Sequence, residues 1–124
     1  MITGAIRFDE ARIRLKVIGR RGREQEIHAV IDSGYTGMLT LPAALIAMLG
    51  LRWRSVERAT LADGSTCVFQ AYVGKVIWNG KLRTIVVAEA GVDPLVGMRL
   101  LRGHELRMQV RYRGKVTIKR LRSR

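Results

Sequence analysis

Cysteine is almost missing from this chain of 124 residues: Cys67 stands alone. That excludes an intrachain disulfide and any zinc site built on cysteine pairs. Cys67 lies in a strand-like run with no histidine or helix start beside it, so it reads as a buried structural thiol rather than a nucleophile. Aromatics make up only 6% of residues. The core must therefore come mainly from Val, Ile, Leu and Met, and no spaced series of rings is available for stacking on bases. The two histidines, His28 and His104, are far apart in the chain and read as surface residues, so no metal site and no cofactor is expected. No uncharged apolar run approaches the ~20 residues that span a bilayer. Residues 1–20 carry charges of both signs, Asp9 and Glu10 among them, unlike a secretory leader. A cytoplasmic protein with no membrane association is the expectation. Linkers, internal repeats and low-complexity tracts are absent too, and the length suits a single domain over 1–124.

Acidic residues are few: 10 Asp and Glu stand against 23 Lys and Arg, a formal charge of +13. Such an excess attracts nucleic acid, anionic surfaces or negatively charged substrates. The cations are spread along the chain rather than gathered in a tail, which predicts at most a weak nucleic-acid association through a basic surface.

What the chain does have is a period of two. Ile13, Leu15 and Val17 alternate with Arg12, Arg14 and Lys16, the pattern of a half-buried strand. A charged, glycine-containing turn over 19–24 follows. Ile27, Ala29 and Ile31 then form a second strand, with His28 on its outer side, that runs into Asp32. Residues 38–41 read as a short strand. Pro42 opens a helix through Leu49, with Leu45 and Leu49 on one face and Gly50 as its stop. Asp63-Gly64, between extended runs at 56–62 and 65–73, predicts a two-residue hairpin turn, and Asn79-Gly80 repeats the signal before a strand at 82–87. Arg113-Gly114 is a third candidate turn, between 106–112 and 115–121, and residues 99–103 suit one helical turn. In the last strand Val116 and Ile118 face inward and the alternating Lys and Arg outward, the pattern of an edge strand guarded by charge. Closure would remove the remaining edges, so a mainly β, closed barrel with one or two short helices is expected.

One acidic tripeptide stands out. Asp32-Ser33-Gly34 ends the strand Ala29-Val30-Ile31 and precedes another apolar strand. A carboxylate there needs hydrogen bonds, which Ser33 can offer through its hydroxyl and Gly34 by letting backbone N–H groups come close. Taken alone, the triplet also reads as a turn with its aspartate as an Asx-type cap. Two later segments change its meaning: the hairpin tip Leu61-Ala62-Asp63-Gly64-Ser65, and the apolar pair and glycine Leu95-Val96-Gly97 with a short helix after them.

In this order, Asp32-Ser33-Gly34-Tyr35-Thr36-Gly37, helix, hairpin tip and apolar-apolar-Gly, the chain resembles the retroviral-type aspartic proteases over roughly residues 10–112, and especially their small prokaryotic single-domain members. The resemblance implies an acid-protease-type barrel with a flap hairpin near 58–70 and an aspartic endopeptidase activity on extended peptides. It implies that Asp32 is the catalytic carboxylate and that Ser33 locks the two active-site loops across a dimer axis. Gly34 would let substrate backbone pass close by. Ala62, Asp63 and Gly64 would form the flap tip, and Leu95, Val96 and Gly97 the strand behind the catalytic loop. Arg99 stands two residues after Gly97, where viral members place an arginine directly after the glycine. The family also builds much of its dimer interface from terminal strands, a role the last strand would share.

Aspartic proteolysis needs two carboxyl groups sharing a proton. This chain carries one Asp-Ser-Gly, so a homodimer must supply the second Asp32. The other nine acids read as turn, loop or exposed-strand residues. Two other functions remain open at this point: a catalytically silent peptide-binding or dimerisation module on the same fold, and a basic β-domain that binds nucleic acid.

Overall fold

The computed structural model describes residues 1–60, 63–91 and 93–122. In chain order its elements are β1 (Ile2–Arg7), β2 (Glu10–Ile18), a 3-10 turn (Arg20–Gly22), β3 (Glu24–Ile31), β4 (Leu39–Leu41), α1 (Ala43–Leu49), β5 (Arg52–Thr60), β6 (Thr66–Trp78), β7 (Lys81–Glu89), β8 (Leu95–Val96), α2 (Met98–Leu101), β9 (His104–Met108) and β10 (Lys115–Arg120). The strands join one ten-stranded sheet in the order β5-β6-β7-β4-β8-β3-β2-β1-β10-β9. β2 also pairs with β6, through Val17↔Val76 and Ile18↔Lys75, so the sheet returns on itself there. The architecture is thus mainly β, with two short helices at its margins.

Alternation decides which side of each strand is buried. In β2, Ala11, Ile13, Leu15 and Val17 point into the core and Arg14 and Lys16 out of it. β3 repeats the pattern with Ile27 and Ala29 inside and His28 outside. These faces meet Leu39, Leu41, Val76, Ile85, Val87 and the helical Ile46, Leu49 and Leu100 in one cluster, almost wholly aliphatic apart from Trp78. Burial of this apolar surface, at roughly 25 cal/mol per Å², is the main force holding the sheet together.

Local signals placed several elements. Pro42 caps the start of α1, and Gly50 ends it at φ +62, with its N–H donating to the Ala47 carbonyl at 3.1 Å. Asn79 and Gly80, at φ +57 and +77, form the two-residue turn that lets Trp78 face Lys81.

Elsewhere the structure corrects the sequence reading. The last described pair of the β5–β6 hairpin is Thr60↔Thr66, a register centred on Asp63, so Asp63 and Gly64 are not the two central residues of a two-residue turn. Asp63 works there through its side chain: Oδ1 accepts the Ser65 N–H at 2.9 Å, an Asx-type turn. The turn expected at Arg113-Gly114 is present but offset by one residue: Gly114 N–H donates to the Arg111 carbonyl at 2.7 Å, which puts Tyr112 and Arg113, the latter at φ +62, at its centre, within a longer connection over residues 109–114. This loop is tied to β1: Arg113 N–H donates to the Ile6 carbonyl and Ile6 N–H to the Gly114 carbonyl, both at 2.9 Å. β10 is no edge strand, because β1 flanks it on one side and β9 on the other; the outer strands of the sheet are β5 and β9. Cys67 is exposed, not buried, because the first residues of β6 extend past the core and are open to solvent.

Candidate active site

The site begins with a strand that cannot stop where it ends. β3 lies between β2, through Arg12↔Val30, and β8, through the parallel pairs Val30↔Leu95 and Ile31↔Val96. The β3–β8 ladder continues one residue further, into the acidic triplet: Asp32 N–H donates to the Val96 carbonyl at 2.9 Å. Asp32 is therefore fixed at its backbone by the interior of the sheet while its side chain emerges at the sheet end. It is half-buried, and Ser33 and Gly34 beside it are exposed.

Beyond Asp32 the chain turns sharply. Tyr35 N–H donates to the Asp32 carbonyl at 3.1 Å, and Gly34 N–H donates to Asp32 Oδ1 at 2.9 Å. One carboxylate oxygen is thus oriented by the loop's own backbone in an Asx-type turn, the geometry the triplet taken alone suggested. A Cβ at residue 34 would come within 3.3 Å of that oxygen, so glycine gives the N–H its close approach.

The loop rests on the segment after β8. Three consecutive amides hold it: Gly97 N–H donates to the Met38 carbonyl at 2.9 Å, Met98 N–H to Tyr35 at 2.8 Å and Arg99 N–H to Gly37 at 3.1 Å. Gly97 has ordinary extended dihedrals, φ −99 and ψ 175. Its requirement is space: a Cβ there would sit 2.2 Å from the Gly37 carbonyl oxygen and 2.5 Å from the Tyr35 ring. The Tyr35 ring also covers Gly37, whose own Cβ would meet the phenol oxygen at 2.2 Å. Burial there pushes the Tyr35 phenol above its ordinary pKa.

The structure therefore joins Asp32, Ser33 and Gly34 to Leu95, Val96 and Gly97 in one bonded unit. The residues expected to form a flap tip are a separate matter. Ala62 lies outside the described residues. Asp63 and Gly64 are exposed at the hairpin tip, Gly64 at φ +85, and no hydrogen bond joins them to the Asp32 loop among the described residues. The Ser65 hydroxyl and N–H hold the Asp63 carboxyl below its ordinary range.

Thr40 was missed by the sequence reading. It is buried, and its Oγ1 accepts the Leu95 N–H at 2.9 Å, fastening β4 to the start of β8. The signal was a hydroxyl inside an otherwise apolar strand, since a buried hydroxyl needs a partner. Among the described residues no three His, Cys, Asp or Glu side chains converge as a metal cradle. Three depressions of about 500, 940 and 540 Å³ mark the surface, and Asp32 lines none of them.

Comparison with known proteins agrees with this architecture. The fold is similar to that of a retropepsin-like aspartic protease from Rickettsia conorii, at a TM-score of 0.59 over 97% of this chain and 89% of that one, with 16% sequence identity. At that identity the likeness is one of fold. No family model and no curated protein matches the sequence.

Proposed function

We propose that the chain is an aspartic endopeptidase, active as a homodimer in which two copies of Asp32 share one proton. The observation that carries this reading is the bonded unit at the sheet end. A lone carboxylate is anchored through its own N–H to Val96 and oriented by the Gly34 N–H, on a fold similar to that of a retropepsin-like aspartic protease.

The chemistry follows from two such carboxyls facing each other. Close carboxylates resist joint ionisation, so one stays protonated. The ionised Asp32 takes a proton from a water molecule as the water oxygen attacks the peptide carbonyl carbon. The protonated Asp32 of the second copy gives its proton to the carbonyl oxygen, forming a tetrahedral diol. Collapse of the diol breaks the C–N bond, the leaving nitrogen receives a proton from the dyad, and the dyad returns to its starting state. The Gly34 bond keeps one oxygen in place through these exchanges. The β5–β6 hairpin would fold over a peptide of about six to eight residues bound as an added strand.

The dimer face has support in the placement of exposed apolar side chains. Phe8, Val110 and Tyr112 are 82%, 71% and 70% exposed. All three lie in loops at the end of the sheet where β3 delivers Asp32: the β1–β2 turn leads directly into Glu10, two residues before Arg12 faces Val30, and the 109–114 loop is bonded to Ile6. The terminal strands β1 and β10 are flanked on both sides within the chain. These observations favour a second copy docking on these loops rather than on a free terminal edge, an arrangement that would set the two Asp32 side chains against each other.

The test is cleavage of a broad peptide library at acidic pH by the purified dimer, its block by a pepstatin-like transition-state mimic, and its loss in Asp32→Asn. Dimeric wild-type protein that leaves the library intact would refute the proposal.

A further inference from the structure

The cations, evenly spread in sequence, are gathered in space. The largest of the three depressions is edged by Arg20, Arg52 and Lys75. The next shares Arg52 with it and adds Arg54, Arg83, Arg99 and Arg102. The third shares Arg83 and Arg102 and adds Lys81, Arg120 and His104. Shared linings make the three one continuous concave band, edged by nine different Lys and Arg residues, and no Asp or Glu lines any part of it. Ion pairs among the described residues are Arg12–Glu10, Lys16–Glu24, Arg54–Glu57 and Arg107–Glu105, so only Arg54 of the band has a carboxylate partner. Arg83 is partly withdrawn from water, which pulls its guanidinium below the ordinary value, and it bonds only a neutral acceptor, the Leu100 carbonyl at 3.2 Å. Like charges held together in a concavity repel one another, and a bound anion relieves that repulsion while the concave walls focus the field.

Two features choose the kind of anion. Between the cations the floor is apolar: Ile18, Leu51, Val73 and Leu82 in the largest depression and Val86 in the next. The one aromatic ring in the lining, Trp78, is only 5% exposed and has its Nε1–H spent on His104, so it offers no face to a base. Seven of the nine cations are arginines, whose planar forks fit carboxylates in pairs. Apolar pits between guanidinium rims suit a polypeptide that alternates carboxylate and aliphatic side chains better than a sugar–phosphate backbone. The band also adjoins the candidate active site. Met38 follows the Asp32 loop directly, Arg99 donates its N–H to that loop, and Arg52 and Arg54 begin the flap strand.

We propose that this arginine-lined band is a docking site for an acidic, aliphatic-rich segment of a protein substrate, lying outside the residues cleaved. The inference rests on the endopeptidase reading for its purpose but not for its measurement. Binding is read first on Asp32→Asn protein, by fluorescence anisotropy with a labelled peptide of alternating Glu and Leu and with a labelled oligouridylate of matching charge. The expected result is binding of the peptide that weakens with salt and falls about tenfold in the exposed double variant Arg20→Glu/Arg102→Glu, with melting temperature unchanged. Cleavage is read second. A neutral peptide extended by the acidic segment should show a KM about tenfold lower than the neutral peptide alone, and the double variant should erase that difference while cleaving the neutral peptide normally. The charge-neutral variant Arg20→Gln/Arg102→Gln should fall between the two.

Peptide binding that is equal in wild type and double variant would overturn the proposal, as would an oligouridylate that binds more tightly and displaces the peptide, or an extension that leaves KM unchanged. A protein that binds the acidic peptide but cleaves nothing would instead sink the endopeptidase reading and leave the band standing.

Discussion

Replacing Gly97 with alanine adds one methyl group at the point where the acidic loop is supported. The dihedrals at residue 97 suit alanine, so no backbone strain arises from φ or ψ. In the unfolded chain the change removes conformational freedom and on that account alone stabilises by about 0.4–1 kcal/mol. The folded chain resists more strongly. The new Cβ would sit 2.2 Å from the Gly37 oxygen and 2.8 Å from the Tyr35 oxygen, both backbone atoms. Those carbonyls accept the Arg99 and Met98 N–H groups, so neither can retreat without lengthening a hydrogen bond that holds the loop. Overpacking of this kind costs about 1–3 kcal/mol, and the net expectation is a loss of about 1–2 kcal/mol, or about 3–10 °C in melting temperature. Because the displaced atoms belong to the loop that begins at Asp32, cleavage should fall about a hundredfold, more than stability alone accounts for. Gly103→Ala is the matched control. Gly103 has φ +84 and no heavy atom within 4 Å of a new Cβ, so its change costs about 1 kcal/mol of stability and leaves cleavage of a neutral peptide intact. Thermal unfolding and initial rates on both variants decide the matter. Gly97→Ala with wild-type rates would refute the claim that this glycine carries the catalytic loop.

Three other outcomes are expected. Val110→Asp/Tyr112→Asp, at two exposed loop positions, should yield a folded monomer by sedimentation that cleaves nothing; a stable dimer would move the interface elsewhere. Ile118→Ala, at a wholly buried position of β10, should cost about 2–4 kcal/mol in urea unfolding without changing the substrate preference. The Asp63 carboxyl is held below its ordinary value by Ser65, so the bonds at the β5–β6 hairpin tip are fully present above the ordinary carboxylate range and are lost as pH falls through the lowered folded value. An NMR titration of the Ser65 amide should follow that sign, and Ser65→Ala should move the Asp63 transition upward.

The sequence made legible whatever is settled within a few residues. The β2–β3 hairpin followed from strict alternation, α1 from Pro42 and Gly50, and the Asn79-Gly80 turn from two residues that accept positive φ. The acidic triplet and the Leu95-Val96-Gly97 segment, more than sixty positions apart, could be linked only through resemblance, and the structure joins them by the Asp32–Val96 hydrogen bond. What escaped was set by partners distant in the chain. The turn expected at Arg113-Gly114 is centred one residue earlier, on Tyr112-Arg113, and bonds to Ile6 tie the loop around it to β1. The charged face of β10 looked like an edge, but β1 and β9 occupy both its sides. Thr40 looked like one more strand residue until Leu95 supplied its partner. The basic band left no trace in the sequence, because curling of the sheet brings together arginines from β5, β7, α2 and β10.

In the proposed dimer each chain contributes half of one acid–base pair. Wild-type chains and Asp32→Asn chains, co-refolded at varying ratios and fixed total concentration, test it most directly. If both carboxyls must come from Asp32, activity falls as the square of the wild-type fraction, to about a quarter at equal mixing. A linear fall, with about half the activity left at that point, would show that one Asp32 suffices and would contradict the shared dyad.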